Sequence, residues 1–240
     1  YYPAEKVCAH FTDVLITINQ EDYKLAKRKM KAKRIEYVPG VGIDVDKFRN
    51  ATVDRAEKRR ELGIPEDAFL LISVGELNEN KNHQVVIRAL AQLNNPQVHY
   101  MIAGNGELDK YLTGLAARLG VANQVHLLGY RRDVAELYKA ADIDVFPSKR
   151  EGLGLSAIEG MAAGLPLICS DNRGTREYMG RDSLGMVSDC LDSDKFADAI
   201  KSFYKNAESG IQTGKDASER AGHFSVEKVN REMMRIYDLK

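Results

Sequence analysis

Short apolar runs recur along the chain, and from residue 69 onward they alternate regularly with stretches of helical spacing. Runs at 69–74, 98–103, 125–128, 143–146, 167–169 and 185–187 read as strands. Between them Val86, Leu90 and Leu93 fall three and four residues apart, as do Leu108, Leu112, Leu115 and Leu119. Leu137 belongs to a short helix after Arg132, and a helix from Ser156 closes at Gly164. Such alternation predicts an α/β fold, a Rossmann-like doubly wound parallel sheet wrapped by helices on both faces.

The flanks are less regular. Residues 3–12 predict a short helix, 14–18 a buried strand ending at Asn19, 21–34 a helix and 35–38 a second strand. That helix turns basic through Lys24, Lys27, Arg28, Lys29, Lys31, Lys33 and Arg34, with no acid among them. It reads either as a solvated helix end or as a patch facing anionic lipid or a phosphate. Residues 39–44 form a turn-rich connector, and the charged stretch 45–66, with a helix at 55–62 stopped by Gly63 and Pro65, reads as a linker. Residues 194–204 predict a helix, and Val226, Val229, Met233 and Tyr237 mark one face of a last helix with Ser225 as N-cap.

Composition narrows the classes. With 240 residues, 44% of them hydrophobic, the chain can bury a sizeable core. Its formal net charge of zero favours neither nucleic acid nor a membrane surface, and no aromatics interleave the basic helix. Cys8, Cys169 and Cys190 are scattered, which suits a reducing compartment better than a disulfide framework. No metal-ligand spacing is visible, and no apolar run approaches the roughly 18 residues of a membrane span. The start at Tyr1, with a strand soon after, leads us to expect a piece of a longer protein.

Glycines cluster where a doubly wound sheet binds ligands, at the carboxyl ends of its strands. Gly75 follows the first strand of the regular block, Gly104 and Gly106 the second, Gly129 the third, and Gly152 and Gly154 the fourth. In the stretch 147–166, Glu151 and Glu159 flank the glycine-rich turn and a helix start. Backbone N–H groups and the helix dipole there favour an anion, and Glu151 can accept bonds from hydroxyls, which points to a phosphorylated, hydroxyl-rich ligand.

Each candidate has a plainer reading. Lys81 either reaches a diphosphate or is a surface lysine, and Asn82-His83 reads as a helix cap with nothing nearby to orient the imidazole. The Ala103-Gly104-Asn105-Gly106 turn is half a dinucleotide fingerprint or only a tight turn. In 129–133 the backbone can hold a base edge and Arg131 or Arg132 face a phosphate, while Asp133 caps the next helix. Ser156 and Glu159 have the spacing of a capping box, so Glu159 is either cap or ligand.

Taken in order, Val74-Gly75-Glu76-Leu77 with Lys81-Asn82, Ile102-Ala103-Gly104-Asn105-Gly106-Glu107-Leu108, Leu128-Gly129-Tyr130-Arg131, and Pro147-Ser148-x-x-Glu151-Gly152-x-Gly154-Leu155-x-x-x-Glu159-x-Met161-Ala162-x-Gly164-x-Pro166 resemble the retaining GT-B glycosyltransferases of family 4. Within that family the likeness is to bacterial enzymes that build capsule and exopolysaccharide. It covers nearly the whole chain, including the connector at 38–44.

The resemblance implies a division of roles. The donor is a nucleotide-diphosphate sugar, with a UDP-sugar favoured, and no bound cofactor or metal is implied. The acceptor is a saccharide or lipid-linked saccharide, with no nucleic acid involved. The setting is cytoplasmic, at the inner face of the membrane, with peripheral membrane contact. Glu151 and Lys81 would be catalytic, on the sugar and the diphosphate respectively, and Glu159 would take the ribose. The amides of Gly154, Leu155 and Ser156 would face the phosphates, Gly152, Leu153, Gly75, Asn82 and Arg150 would also bind the donor, and Tyr130 and Arg131 would lie by the base. Residues 1–45 would end an acceptor domain and include the connector, 46–224 would form the nucleotide-sugar domain, and 225–240 would be a helix that packs on the absent domain. Many relatives carry Arg where this chain has Glu76, so Lys81 acts alone on the diphosphate or with Lys149 or Arg150. A piece of this extent is expected to bind donor weakly and to transfer nothing alone. The other reading is a sugar-nucleotide-binding module without transferase activity, or an epimerase-like relative.

Overall fold

The computed structural model describes residues 2–179 and 185–237, with backbone only at 185–188 and 207–209. The chain divides into two compact units, one formed by residues up to Asp44 with those from His223 on, the other by Val45–Gly222.

The first unit opens with α1 (Tyr2–Cys8) and a 3₁₀ turn at Ala9–Phe11, then β1 (Val14–Thr17), α2 (Gln20–Lys29) and β2 (Arg34–Tyr37). Strands β1 and β2 pair in parallel, Val14 opposite Arg34. Helix α2 begins where the buried Asn19 side chain accepts the Asp22 N–H at 2.7 Å. It ends at Lys29, short of the predicted residue 34, because Met30 is extended. The N–H groups of Lys33 and Arg34 are already bonded to Thr12 and Asp13 carbonyls, at 3.0 and 2.8 Å. Sheet pairing thus claims the last basic residues of the run.

The second unit begins with α3 (Val45–Arg49) and α4 (Arg55–Glu61), followed by β3 (Phe69–Val74), α5 (His83–Leu93), β4 (Val98–Ala103), α6 (Asp109–Arg118) and β5 (Val125–Leu127). Then come α7 (Val134–Ala140), β6 (Ile143–Phe146), α8 (Leu155–Ala162), β7 (Leu167–Ser170), α9 (Thr175–Tyr178), β8 (Gly185–Ser188), α10 (Ser193–Lys205) and α11 (Ala207–Ala221). The six strands β3–β8 form one parallel sheet in the order β5-β4-β3-β6-β7-β8. The chain moves outward from β3 through β4 to β5, then returns to the other side of β3 with β6. The topological switch point therefore lies between the carboxyl ends of β3 and β6, where doubly wound sheets open a crevice. Leu70, Leu71, Ile72, Met101, Ile102, Val145 and Ile168 are fully buried in the sheet, as expected of strands covered on both faces.

Residues 45–66 are not a linker. Val45, Phe48 and Arg59 are buried, and the Arg59 guanidinium donates to the carbonyls of Ala140, Glu66 and Ala68 and to Asp142 at 2.7–3.0 Å. A charge-rich stretch thus carries an internal brace, because each N–H of that buried cation finds an oxygen.

The chain closes in the first unit with α12 (Val226–Ile236), where Ser225 is the N-cap, its hydroxyl accepting the Lys228 N–H at 3.4 Å. Its buried face runs through Val229 to Ile236, and Tyr237, expected on that face, is exposed. Val229 and Ile236 are two turns apart and share one face of the helix.

Candidate active site

After β6 the chain runs through Pro147 and Ser148 into a loop stitched to the one after β3. The Lys149 N–H donates to the Asn80 carbonyl at 2.8 Å, and Asn80 Nδ2 donates to the Arg150 carbonyl at 2.9 Å. Glu151, Gly152 and the buried Leu153 lead to Gly154, whose φ of +89° makes it the N-cap of α8. A Cβ at Gly154 would lie 2.8 Å from the Phe146 ring and 2.9 Å from the Tyr178 hydroxyl. Glycine is thus required by both backbone and space.

Of the two readings of Glu159, cap or ligand, this geometry removes the capping box. Ser156 lies inside α8, and no side chain caps the helix; the N–H groups of Ala157 and Ile158 donate to the Gly154 carbonyl, which leaves those of Leu155 and Ser156 at the helix start. Glu159 is free of the capping role. It is half-buried, and burial pushes its carboxyl upward while Lys47 pulls it back. Leu155 is exposed at the helix start, and the Ser156 carbonyl accepts the Tyr138 hydroxyl at 2.7 Å.

From the other side of the switch point comes Lys81. Its N–H is held by Asn78 Oδ1 at 2.9 Å, and its Nζ lies 2.7 Å from Glu151 Oε1. Both side chains are largely shielded, 21% and 14% exposed, and Nζ sits 5.2 Å over the Phe146 ring. A Cβ on Gly75 would be 3.3 Å from Lys81 Cε, so Gly75 clears the path of the lysine stem. The structure therefore brings together Lys81, Glu151, Gly75 and the Gly154 turn.

Other candidates have different partners. Asn82 occupies the N-cap position of α5 with φ of +54° but makes no side-chain cap. Its Nδ2 donates instead to the carbonyls of Pro147 and Cys190, at 3.3 and 2.6 Å. His83, expected to lack orienting groups, is buried with Nδ1 3.0 Å from the Tyr100 hydroxyl and Nε2 3.3 Å from the Glu76 carbonyl. Burial lowers its pKa to about 4, so it is a neutral strut. Gly104 and Gly106 are packing glycines. A Cβ on Gly104 would overlap the Gly75 carbonyl, and one on Gly106 would overlap the Leu77 backbone.

Tyr130 is exposed beyond β5. The Arg131 guanidinium is paired with Asp133 at 2.6 and 2.8 Å and with Glu61 at 2.9 Å. Asp133 accepts these bonds without capping α7, and Arg131 holds its carboxyl well below the usual range. Lys149 Nζ pairs with Glu79 at 3.2 Å, while Arg150 is exposed. The Glu76 carboxylate is exposed and accepts from Asn78 Nδ2 at 2.9 Å.

One supporting turn was missed in the sequence. A Cβ on Gly174 would come within 2.9 Å of Glu151 Cβ and 2.8 Å of the Leu153 carbonyl. Asn172 builds that turn, accepting the N–H groups of Gly174 and Thr175 and donating to the Ser148 carbonyl at 3.0 Å. The Asn-x-Gly-Thr string after the strand was the available signal.

Residues 54–220 match the family described as Glycosyl transferases group 1. The chain belongs to that family. This group 1 chain is 37% identical over 241 residues to the EpsD protein of Bacillus subtilis (strain 168), covering 99% of the chain and 63% of that relative. It is 32% identical over 211 residues to D-inositol 3-phosphate glycosyltransferase of Corynebacterium jeikeium (strain K411), covering 82% of the chain and 50% of that relative. The chain thus spans between half and two thirds of these relatives' length. Anabaena Alr3699/HepE, solved in complex with UDP and glucose, superposes with a TM-score of 0.89 at 22% identity, covering 99% of the chain and 66% of that structure. Sucrose-phosphate synthase from Thermosynechococcus elongatus superposes at 0.86 and 25% identity, covering 98% and 60%. The GT-B fold of these neighbours is the fold seen here. Among the described residues no helix is long and apolar enough to cross a membrane.

Proposed function

We propose that the chain is the donor-binding half of a retaining, hexosyltransferase-type glycosyltransferase. It takes a sugar from a nucleotide-diphosphate sugar, a UDP-sugar in the first instance, for a saccharide or lipid-linked saccharide acceptor in capsule or exopolysaccharide synthesis. The observation that carries this reading is the Lys81–Glu151 pair at the sheet's switch point, beside the uncapped start of α8. Lys81 and the α8 amides take the diphosphate, Glu151 accepts bonds from sugar hydroxyls, and Glu159 takes the ribose. Support for UDP comes from HepE, whose solved complexes include UDP and UDP-glucose.

The chemistry needed from these residues is stabilisation of a departing diphosphate. Lys81 and the N–H groups supply charge and donors where negative charge grows. Near-attack placement of the acceptor oxygen falls to residues beyond those described. No cofactor or metal enters this scheme. The setting is the cytoplasmic face of the membrane, with Lys24, Lys27, Arg28 and Lys29 of α2 meeting anionic lipid. The test is Glu151→Ala in the whole protein. Transfer is expected to collapse with nucleotide binding retained; retained transfer overturns the reading.

A further inference from the structure

Lys81 and Glu151 satisfy each other before any ligand arrives. A nucleoside diphosphate that reaches Lys81 Nζ must displace a carboxylate already seated 2.7 Å away. That carboxylate has little room to retreat. The preceding carbonyl, that of Arg150, is held by Asn80 Nδ2, and the Glu151 Cβ packs against Gly174. Nearby cations offer little relief, since Lys149 is engaged by Glu79 and Arg150 is exposed to water. Two anions then compete for one partly desolvated cation, and their repulsion is only weakly screened.

A sugar on the diphosphate changes the balance. Its hydroxyls are donors, and a carboxylate is an acceptor with several free lone pairs. The group that opposes the bare diphosphate becomes a partner of the sugar-bearing one.

We propose that Glu151 is a specificity-determining residue that discriminates the nucleotide-sugar donor from the nucleoside diphosphate product, competing with the product for Lys81 and so promoting its release. This rests on the donor reading above and adds a selection that operates between substrate and product. Specificity is a difference of affinities, and one carboxylate supplies both the attractive and the repulsive side.

The test is calorimetric titration of UDP and UDP-glucose into the 240-residue chain and into its Glu151→Gln, Glu151→Ala and Lys81→Met variants. UDP is expected to bind both Glu151 variants about tenfold more tightly than the parent, with no gain for UDP-glucose. The gain is expected to vanish when Glu151→Gln is combined with Lys81→Met, as a double-mutant cycle requires if the lysine carries it. UDP binding that is unchanged or weaker in both Glu151 variants overturns the proposal while leaving the donor reading in place. A parent chain that binds neither probe overturns the donor reading and the proposal together.

Discussion

The Cβ that Gly160 lacks would fall on Oδ2 of Asp144. Helix α8 therefore packs on β6 with a carboxyl group in the seam, and Asp144 is buried with that oxygen unpartnered. Burial holds its pKa well above the carboxylate range, and the nearby Glu159 adds to the effect. Gly160→Ala is expected to destabilise the fold by about 1–3 kcal/mol through overpacking. Asp144→Ala in the same chain should recover part of the loss. Urea denaturation of the two single variants and the double variant reads the coupling; additive losses would count against the contact.

A second expectation concerns the charge state of Asp144. The folded chain keeps the carboxyl protonated to higher pH than the unfolded chain, which ionises it above about pH 4. Its contribution is therefore fully present below the unfolded pKa and lost as pH rises through the folded one. Asp144→Asn removes that loss without changing shape. Melting temperature should rise at pH 7.5 relative to the parent, and the gain should fade toward pH 4.

Histidines act in the opposite direction. Burial lowers His83 and His126 to about 4, and His99, whose Nδ1 lies 2.9 Å from His126 Nε2, is lowered too. The unfolded chain takes up these protons near pH 6.5. Stability present above about pH 6.5 is thus lost as pH falls toward about 4, with roughly 3 kcal/mol from the deeply buried His83. Denaturant midpoints at pH 7.5, 6 and 4.5 check this. A flat profile would show that the imidazoles are not held neutral.

Lys58 joins α4 to α7. Its Nζ lies within 2.8–3.1 Å of Glu61, Asp133 and Glu136, and the side chain is 11% exposed. Lys58→Met leaves Glu61 and Asp133 to Arg131 and takes from Glu136 its lysine, and is expected to cost about 2–4 kcal/mol. Glu136→Gln, at the more exposed rim, should cost less than about 1 kcal/mol. Equal costs for the two variants would contradict this ranking.

The parts of this fold legible in sequence are those with one dominant cause. Fully buried parallel strands must be apolar at successive positions, so β3, β4 and β6 stand out at their true bounds. Gly75 and Gly154 mark the switch point because a chain turning from strand to helix there needs their conformational freedom or their space. What was hidden depends on contacts between distant residues. Ser156 looks like a cap until Gly154, with its positive φ, takes that position. Arg59 lies in a charged run that reads as a linker until four separate oxygen groups surround it. Arg131 looks available for a phosphate until Glu61, 70 residues earlier, folds beside it. Lys81 and Glu151 are likewise 70 residues apart, and only the crossover from β3 to β6 makes them neighbours.

The proposed nucleotide-sugar site is built on Lys81 at the switch point. Calorimetric titration of the 240-residue chain with UDP, GDP and ADP decides whether that site exists. Saturable binding of UDP is expected, with little heat from GDP or ADP and a UDP affinity at least about tenfold lower in Lys81→Met. Absence of UDP binding, or equal UDP affinity in the parent and in Lys81→Met, would contradict it.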